Sequence, residues 1–503
     1  MSLKLSGRIV VFCALFAVIN ACSDDFYEAK IGDKIYPDQH YKDARDVWSS
    51  YSGIVLLLQE IMPNHILVDG LLSDQMEPTA AADAELVTLY NHSVSAGNSL
   101  IDGAAYYKVI VSANDVLLNL DAVVEKDKLN YDSLTNVSVK RALITYRSWA
   151  YFNYVRLYGS ATILPLELVS IDDAANLEVV DRETMLRRLV DDLTPILHDS
   201  EDALAELIID NSLNSKALLG EIYLELNEYA LAAEYLRAAC ESYGRNNYKV
   251  DKKYNRENYA GIFISPIGAI SEVFASVPFS FEDGQQNPLE VYFRHDYDYT
   301  IKPSGVLVDL FKLQKPVTDT VLGDKFRGMG VSFDSIPNSP TEFYISKYSL
   351  EPNAVPYSAD IIMYRASDIH LLLAEAYNNI DQPEIALTLM NDGMRQLSPR
   401  PTDFRTWASN EGVRGRVFLK SITIPDGTAD AKTYLDNMIL EERALELAFE
   451  GKRWFDLMRV ARRRNDPAFL ANTVAAKYSN PAVAERVKQV LSDENNWYLP
   501  TVK

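Results

Sequence analysis

The densest group of chemically capable side chains lies near the end of the sequence. Between residues 441 and 459, acidic residues and arginines recur three or four positions apart, so on a helix they share a face or lie on adjacent turns. The group could be an acid–base site, or it could be an ion-pair network that holds helices together. We favour the network, because its arginines would keep the carboxylates ionised. The residues predicted to be structural are Glu442, Arg443, Glu446, Glu450, Gly451, Arg453, Trp454 and Asp456.

The common catalytic motifs are missing from the sequence. There is no H-E-x-x-H, G-x-S-x-G, Walker A or C-x-x-C motif, and the six histidines are scattered without metal-ligand spacing. We therefore predict a protein that is not an enzyme and has no catalytic residue, no metal site and no cofactor. Acidic residues are abundant, so the sequence alone leaves open a carboxylate pair for glycoside hydrolysis.

Sugar binding requires flat aromatic faces beside carboxylates or amides, and the chain offers 30 Tyr, 18 Phe and 5 Trp. Trp48, Trp149 and Trp454 lie in helical patterns and are assigned to packing. Better candidates lie in segments that resemble loops, although the alternation at 297–299 also fits a strand with one buried face. The candidate ligand-binding residues are Asp69, Asp74, Gln75, Tyr90, Asn91, His92, Tyr297, Asp298 and Tyr299.

Helical periodicity dominates the first half of the chain. It predicts helices over 43–59, 103–120 and 138–158, the last ending at Gly159, and over 186–204, where Pro195 should kink or split the helix. Two later segments match the tetratricopeptide pattern, in which small residues let paired helices cross closely. The first is Leu219, Gly220 and Tyr223 followed by Ala232, Leu236 and Ala239. The second is Leu373, Ala374 and Tyr377 followed by Ala386, Met390 and Gly393.

The remaining segments are irregular. Residues 245–360 and 400–429 are rich in turn formers and aromatic residues, and they are predicted to be insertions with short strands at 272–278 and 343–348. A last helical region covers 430–464 and is followed by a polar tail. The predicted fold class is therefore mostly α, with tetratricopeptide-like helix pairs and a large insertion of loops and short strands.

The N-terminus has the pattern of a lipoprotein signal, which we favour over an ordinary secretory signal with an incidental cysteine. Lys4 and Arg8 precede an apolar stretch at 9–18, and a small residue stands before Cys22, which would carry the lipid after cleavage. This gives a signal peptide over 1–21 and a tether over 22–40, while 41–503 forms one domain. Only Cys240 then remains as a free thiol, so no intrachain disulfide forms. The formal net charge of −22 argues against nucleic acid as a partner.

The segment 439–459 resembles the C-terminal signature of the SusD/RagB family, approximately E-R-x-x-E-L-A-F-E-G-x-R-W-x-D-L-x-R. Similar blocks occur in order at 141–159, at 303–311, at 364–376 and at Leu499-Pro500. The acidic run Ser23-Asp24-Asp25 resembles a surface-export signal of Bacteroidota lipoproteins.

The resemblance implies a lipid-anchored protein on the outer face of the outer membrane. Such a protein captures a glycan in the irregular half of the fold and delivers it to a SusC-like TonB-dependent transporter. A RagB-like peptide binder with the same partner is the alternative. A surface glycoside hydrolase and a tetratricopeptide scaffold that binds only proteins are further alternatives.

Overall fold

The structure is a computed structural model that describes residues 40–167, 176–197, 213–241, 250, 256–264, 272–318, 320–350 and 358–501. The predicted signal peptide over 1–21, Cys22 and the tether up to residue 39 lie outside these residues. Parts of the predicted helix over 186–204 and of the insertion over 245–360 also lie outside them.

Helices, most of them long, form the first half of the described chain. They are α1 (Ala44–Leu72), α2 (Ala84–Tyr90), α3 (Gly103–Lys126), α4 (Ser133–Tyr158) and α5 (Arg182–Leu197). The first four begin directly after an aspartate whose carboxylate accepts a hydrogen bond from an N–H group of the first turn. Helix α4 ends at Gly159 with φ +79°, as predicted. Helix α1 continues through Pro63, beyond its predicted end, and Pro195 lies in the last turn of α5.

Both predicted tetratricopeptide-like pairs are helical hairpins. The first consists of α6 (Ser215–Glu225) and α7 (Tyr229–Cys240), and it precedes α8 (Arg256–Ile264). Gly220 lets the first pair cross closely, because a Cβ atom there would lie 2.6 Å from Leu236 Cγ. The second pair consists of α11 (Ala366–Asn379) and α12 (Pro383–Met390). Gly393, expected inside this pair, instead lies beyond α12 in a turn with φ +79°.

Short strands and two short helices build much of the irregular half. The strands form four two-stranded antiparallel sheets, β1 (Met76–Pro78) with β5 (Ile301–Pro303), β2 (Ser160–Thr162) with β3 (Val179–Asp181), β4 (Val273–Val277) with β8 (Ile361–Arg365), and β6 (Phe333–Ile336) with β7 (Ser339–Ile345). The two helices are α9 (Leu289–Phe293) and α10 (Gly305–Lys312). The predicted strand at 272–278 corresponds to β4, whereas only the first residues of 343–348 lie in β7.

The C-terminal part is more helical than predicted. Helices α13 (Ala431–Glu446) and α14 (Arg453–Arg464) cover the predicted region, but α15 (Pro467–Ala475) and α16 (Pro481–Leu491) follow them. The prediction of a polar tail is therefore wrong. Each of the two helices begins with a proline at its first position, and Asp466 or Asn480 caps it.

One contiguous apolar core contains side chains from Tyr41 to Leu499, and a smaller cluster lies around Tyr259. Among the described helices, α1 is long and apolar enough to cross a membrane. Most of its apolar stretch is buried against other helices of the protein, however, as expected of a core helix. The mostly α-helical fold class is as predicted.

Candidate ligand-binding cleft

A cleft of about 580 Å³ opens where the β1–β5 sheet, helix α10 and strand β7 meet. Its volume is in the range of small-molecule sites in proteins. Its walls come from residues 77–81, 299–312 and 341–343, three segments distant in sequence. We call this the first cleft.

The β1–β5 ladder positions the charged wall of the first cleft. Glu77 on β1 pairs with Lys302 on β5 in the strand register, and their side chains form an ion pair with an N–O distance of 3.0 Å. Just past β1, the Thr79 hydroxyl donates to the Tyr299 carbonyl at 2.5 Å. The two strands are therefore fixed by side chains as well as by the backbone.

Helix α10 begins at the sheet and forms the next wall. Its N-cap, Ser304, accepts a hydrogen bond from Leu307 N and donates its hydroxyl proton to the Asp74 carbonyl at 2.5 Å. The Ser304 N–H also donates to the Gln75 carbonyl at 2.8 Å. These contacts fix α10 against the segment after α1, so the exposed Asp309 and Lys312 side chains line the first cleft.

Two aromatic side chains complete the first cleft. The Tyr299 hydroxyl donates to the Phe343 carbonyl on β7 at 2.7 Å, and burial raises the pKa of Tyr299 to about 12. The Lys312 ammonium lies 4.5 Å from the centre of the Phe343 ring. The exposed Glu342 carboxylate lies beside them. Aromatic faces thus stand next to carboxylates and ammonium groups, all within reach of one ligand.

Of the nine predicted ligand residues, Tyr299 lines the first cleft. Asp69, Asp74 and Gln75 instead lie in the interior and bind protein groups. Asp69 accepts from Trp454 N at 2.7 Å, Asp74 pairs with Arg453 at 2.7 Å, and Gln75 accepts from Phe449 N at 2.9 Å. Their contacts join the end of α1 to the C-terminal block, and as ligand-binding residues they stay predictions.

The next three predicted residues surround the end of α2. The Tyr90 ring packs against Tyr478 with centroids 4.7 Å apart, and the Lys477 ammonium lies 4.6 Å from the Tyr90 ring centre. Asn91 caps the helix, and His92, with φ 51°, packs on Trp454. These positions stay as predictions, although their contacts are with the protein core.

The last two predicted residues lie in the turn before β5. Tyr297 stacks under the Arg294 guanidinium at 4.8 Å, and Asp298 is exposed. This turn leads directly to Tyr299 but does not itself reach the first cleft. Of the other wall residues, Pro303, Gly305, Val308 and Asp309 lie in the family-like block at 303–311, and the sequence analysis did not assign them to a site.

The acidic and arginine-rich block forms buried ion pairs. Around Glu446, five acidic and five basic side chains are connected, so their formal charges balance, and none is more than 8% exposed. Burial works to raise the pKa of Glu446, but Arg416, Arg365 and Arg327 hold it well below its ordinary value. The members are Glu272, Asp324, Glu442, Glu446, Glu450, Arg327, Lys347, Arg365, Arg414 and Arg416.

A second set of buried ion pairs joins α11, α13 and α14. Arg443 pairs with Asp456 at 2.7 Å and with Asp368 at 2.8 Å, and Arg459 pairs with Glu375 at 2.8 Å. Gly451, between α13 and α14, has φ +73°, and a Cβ atom there would lie 2.8 Å from His65. These contacts are structural, and several partners come from segments distant in sequence. In the described residues, no group of three or more His, Cys, Asp or Glu side chains is placed to hold a metal ion.

Comparison with known proteins agrees with this architecture. A model of the SusD family matches residues 332–502. SusD-like protein P38 of Formosa agariphila is 26% identical over 349 residues, which cover 62% of this chain and 64% of that protein. SusD-like protein P2 of the same organism is 20% identical over 498 residues, covering 90% of each. These matches confirm the resemblance to the SusD/RagB family that the sequence predicts.

Solved structures of SusD-like proteins share the fold. A SusD superfamily protein from Bacteroides vulgatus superposes with a TM-score of 0.68 at 16% identity, covering 91% of this chain and 96% of that one. A laminarin-binding SusD-like protein superposes with a TM-score of 0.59 at 17% identity, covering 88% and 95%. At these identities the likeness extends to the fold alone.

Proposed function

We propose that this SusD-like protein captures a glycan in the first cleft and delivers it to a SusC-like TonB-dependent transporter at the cell surface. The observation that carries the proposal is the composition of the first cleft. Tyr299 and Phe343 provide aromatic surface beside the charged groups of Asp309, Lys312 and Glu342. Sugar rings have apolar C–H faces and hydroxyl edges, and this combination suits both.

Anchoring and delivery rest on other observations. The predicted lipoprotein signal ending at Cys22 supports attachment to the outer membrane, and the similarity to SusD-like proteins supports a transporter partner. A Cys22→Ala variant should leave the membrane fraction, whereas the unchanged protein should stay in it. Affinity purification through a C-terminal tag should recover a TonB-dependent transporter from detergent-solubilised membranes. Recovery of no transporter would contradict the partnership.

Affinity electrophoresis with a panel of polysaccharides tests the ligand class. We expect retardation by at least one polysaccharide and no shortening of its oligosaccharides during long incubation. Release of shorter products would instead show a glycoside hydrolase. Binding of peptides, with no retardation by any polysaccharide, would favour the RagB-like alternative and refute glycan capture.

A pair of exposed glutamates tests the position of the site. Glu342→Ala removes a carboxylate from the first cleft, and Glu485→Ala removes one from the exposed face of α16. A charged hydrogen-bond acceptor contributes about 1.5–3 kcal/mol, so Glu342→Ala should weaken binding by about tenfold or more. Glu485→Ala should leave affinity unchanged. Equal affinities for both variants would place the ligand elsewhere.

A further inference from the structure

A second cleft of about 500 Å³ lies on the other side of helix α10. Its walls come from α10, from α13 and α14, and from α15. Leu313 and Phe469 give it apolar surface, and Asn437, Glu441 and Thr473 give it polar groups. The Asp74–Arg453 ion pair lies at its inner end.

The two clefts share one helix and one side chain. Val308 and Lys312 of α10 face the first cleft, and Val306 and Leu310 face the second, whereas Asp309 lines both. The clefts lie on two sides of α10, and an α-helix with its side chains is about 10–12 Å across. A linear ligand can therefore cross this short helix and occupy both clefts.

The second cleft offers the same kind of surface as the first. Leu313 is 62% exposed, and the partly exposed Phe469 ring lines the same cleft. The Asn437 amide is exposed on α13, and Glu441 accepts a hydrogen bond from Gln314 at 3.4 Å. Apolar faces beside an amide and a carboxylate suit sugar rings as well as they do in the first cleft.

The charges around both clefts argue against an anionic ligand. Together the walls carry five carboxylates and three cationic groups, a formal balance of −2 when Asp309 is counted once. Two of the cations are already engaged, Lys302 with Glu77 and Arg453 with Asp74. The whole chain is also acidic, at −22. Sulfated or uronic-acid glycans would meet net repulsion at close range. The wall residues that carry charge are Asp74, Glu77, Lys302, Asp309, Lys312, Glu342, Glu441 and Arg453.

We propose that the two clefts form one continuous track for an uncharged polysaccharide, with the second cleft holding the part of the chain that extends past α10. The proposal rests on the glycan-binding function proposed above and names its substrate class. It makes affinity depend on chain length, because a short oligosaccharide fills one cleft and a longer one fills both. The protein then selects polymer over its short breakdown products.

Calorimetry with oligosaccharides of two lengths tests the track. The probes are short and long oligosaccharides prepared from whichever uncharged polysaccharide is retained in a panel of laminarin, amylopectin and mannan. Polygalacturonate and carrageenan serve as anionic probes. Asn437→Trp fills the second cleft with a large side chain, and Gln489→Trp adds the same side chain to the exposed face of α16 as the control.

We expect the long oligosaccharide to bind the unchanged protein more tightly than the short one does. Asn437→Trp should weaken only the long one, by about tenfold, and so remove this difference. Asn437→Ala, a smaller change that preserves the helix, should reduce the difference in part. Gln489→Trp should leave both affinities unchanged.

Other outcomes separate the two proposals. Equal affinity for both lengths, or equal loss for both with Asn437→Trp, would overturn the track while glycan capture stands. Retention by polygalacturonate or carrageenan alone would overturn the uncharged ligand class. Binding of no polysaccharide at all would refute glycan capture itself, and the track with it.

Discussion

Arg365→Met should destabilise the folded protein far more than Lys108→Met, although the two ion pairs have nearly equal lengths. The Arg365–Glu450 pair measures 2.8 Å, and its side chains are 1% and 5% exposed. The Lys108–Glu60 pair measures 2.9 Å, with side chains 53% and 54% exposed. Each variant replaces one cation by an uncharged side chain, but Arg365 also pairs with the buried Glu272 and Glu446, whereas both members of the other pair are exposed.

The expected loss in free energy of unfolding depends on which buried charges each substitution leaves without a partner. Without Arg365, Glu450 keeps Lys347 as its one ion-pair partner among the described residues, and Glu446 loses one of three arginines. Breaking a buried pair on one side costs about 3–5 kcal/mol, because a desolvated charge stays without compensation. An exposed pair contributes about 1 kcal/mol or less. A typical domain has about 5–15 kcal/mol of stability, so Arg365→Met removes a large share of it.

Urea unfolding followed by tryptophan fluorescence measures the difference. The midpoint should fall strongly for Arg365→Met and barely for Lys108→Met, with similar slopes for both. Arg365→Met combined with Glu450→Gln should recover part of the loss, because the buried network then again has equal numbers of acidic and basic side chains. Equal midpoints for the two single variants would refute the view that burial makes this network essential.

Two further substitutions test the packing and the electrostatics. Gly220→Ala should lower the free energy of unfolding by roughly 1–3 kcal/mol, measured by thermal unfolding, because the added Cβ atom would collide with Leu236. The control Gly261→Ala lies in α8 with open space around it and should be neutral or slightly stabilising. Equal effects of the two variants would contradict this packing. Burial works to raise the pKa of Asp368, but Lys452 and Arg443 lower it from 3.8 to about 2. Its contribution to stability is therefore present above about pH 4 and lost as the pH falls toward 2. Asp368→Asn should lower the free energy of unfolding at neutral pH, and this free energy should then fall less steeply between about pH 4 and pH 2. If the variant loses stability as steeply as the unchanged protein over this pH range, Asp368 is not paired as described.

The long helices could be predicted from sequence because local signals agree with the global fold. In α4, apolar periodicity and a terminal glycine point to the same boundary, and the structure places it there. Helices α15 and α16 were missed because their prolines also occur in turns, and only the cap and the proline together indicate a helix start. Strand β8 was missed because its fully buried residues have no alternation and run directly into α11.

Most residues of the first cleft could not be predicted from the sequence, for a physical reason. Glu77 and Lys302 are 225 positions apart, and only the pairing of two three-residue strands brings them together. Such short strands carry no reliable periodic signal. Asp69 and Asp74 looked like loop residues suited to a ligand, but the end of α1 is buried, and their carboxylates bind Trp454 N and Arg453. The types of the side chains therefore indicated that they could bind a ligand, but not where they lie in the fold.

The segment that matches the SusD family model and the walls of the first cleft are nearly separate. Of residues 332–502, only 341–343 line that cleft, and its other walls come from 77–81 and 299–312. The matched segment instead contains α11 to α16 and most of the buried ion pairs, which hold the scaffold together. Because these buried ion pairs stabilise the scaffold outside the cleft, the residues of the cleft walls can differ without disrupting the core. The ligand class must therefore be inferred from the side chains around α10, whose excess of carboxylates over cations disfavours an anionic chain.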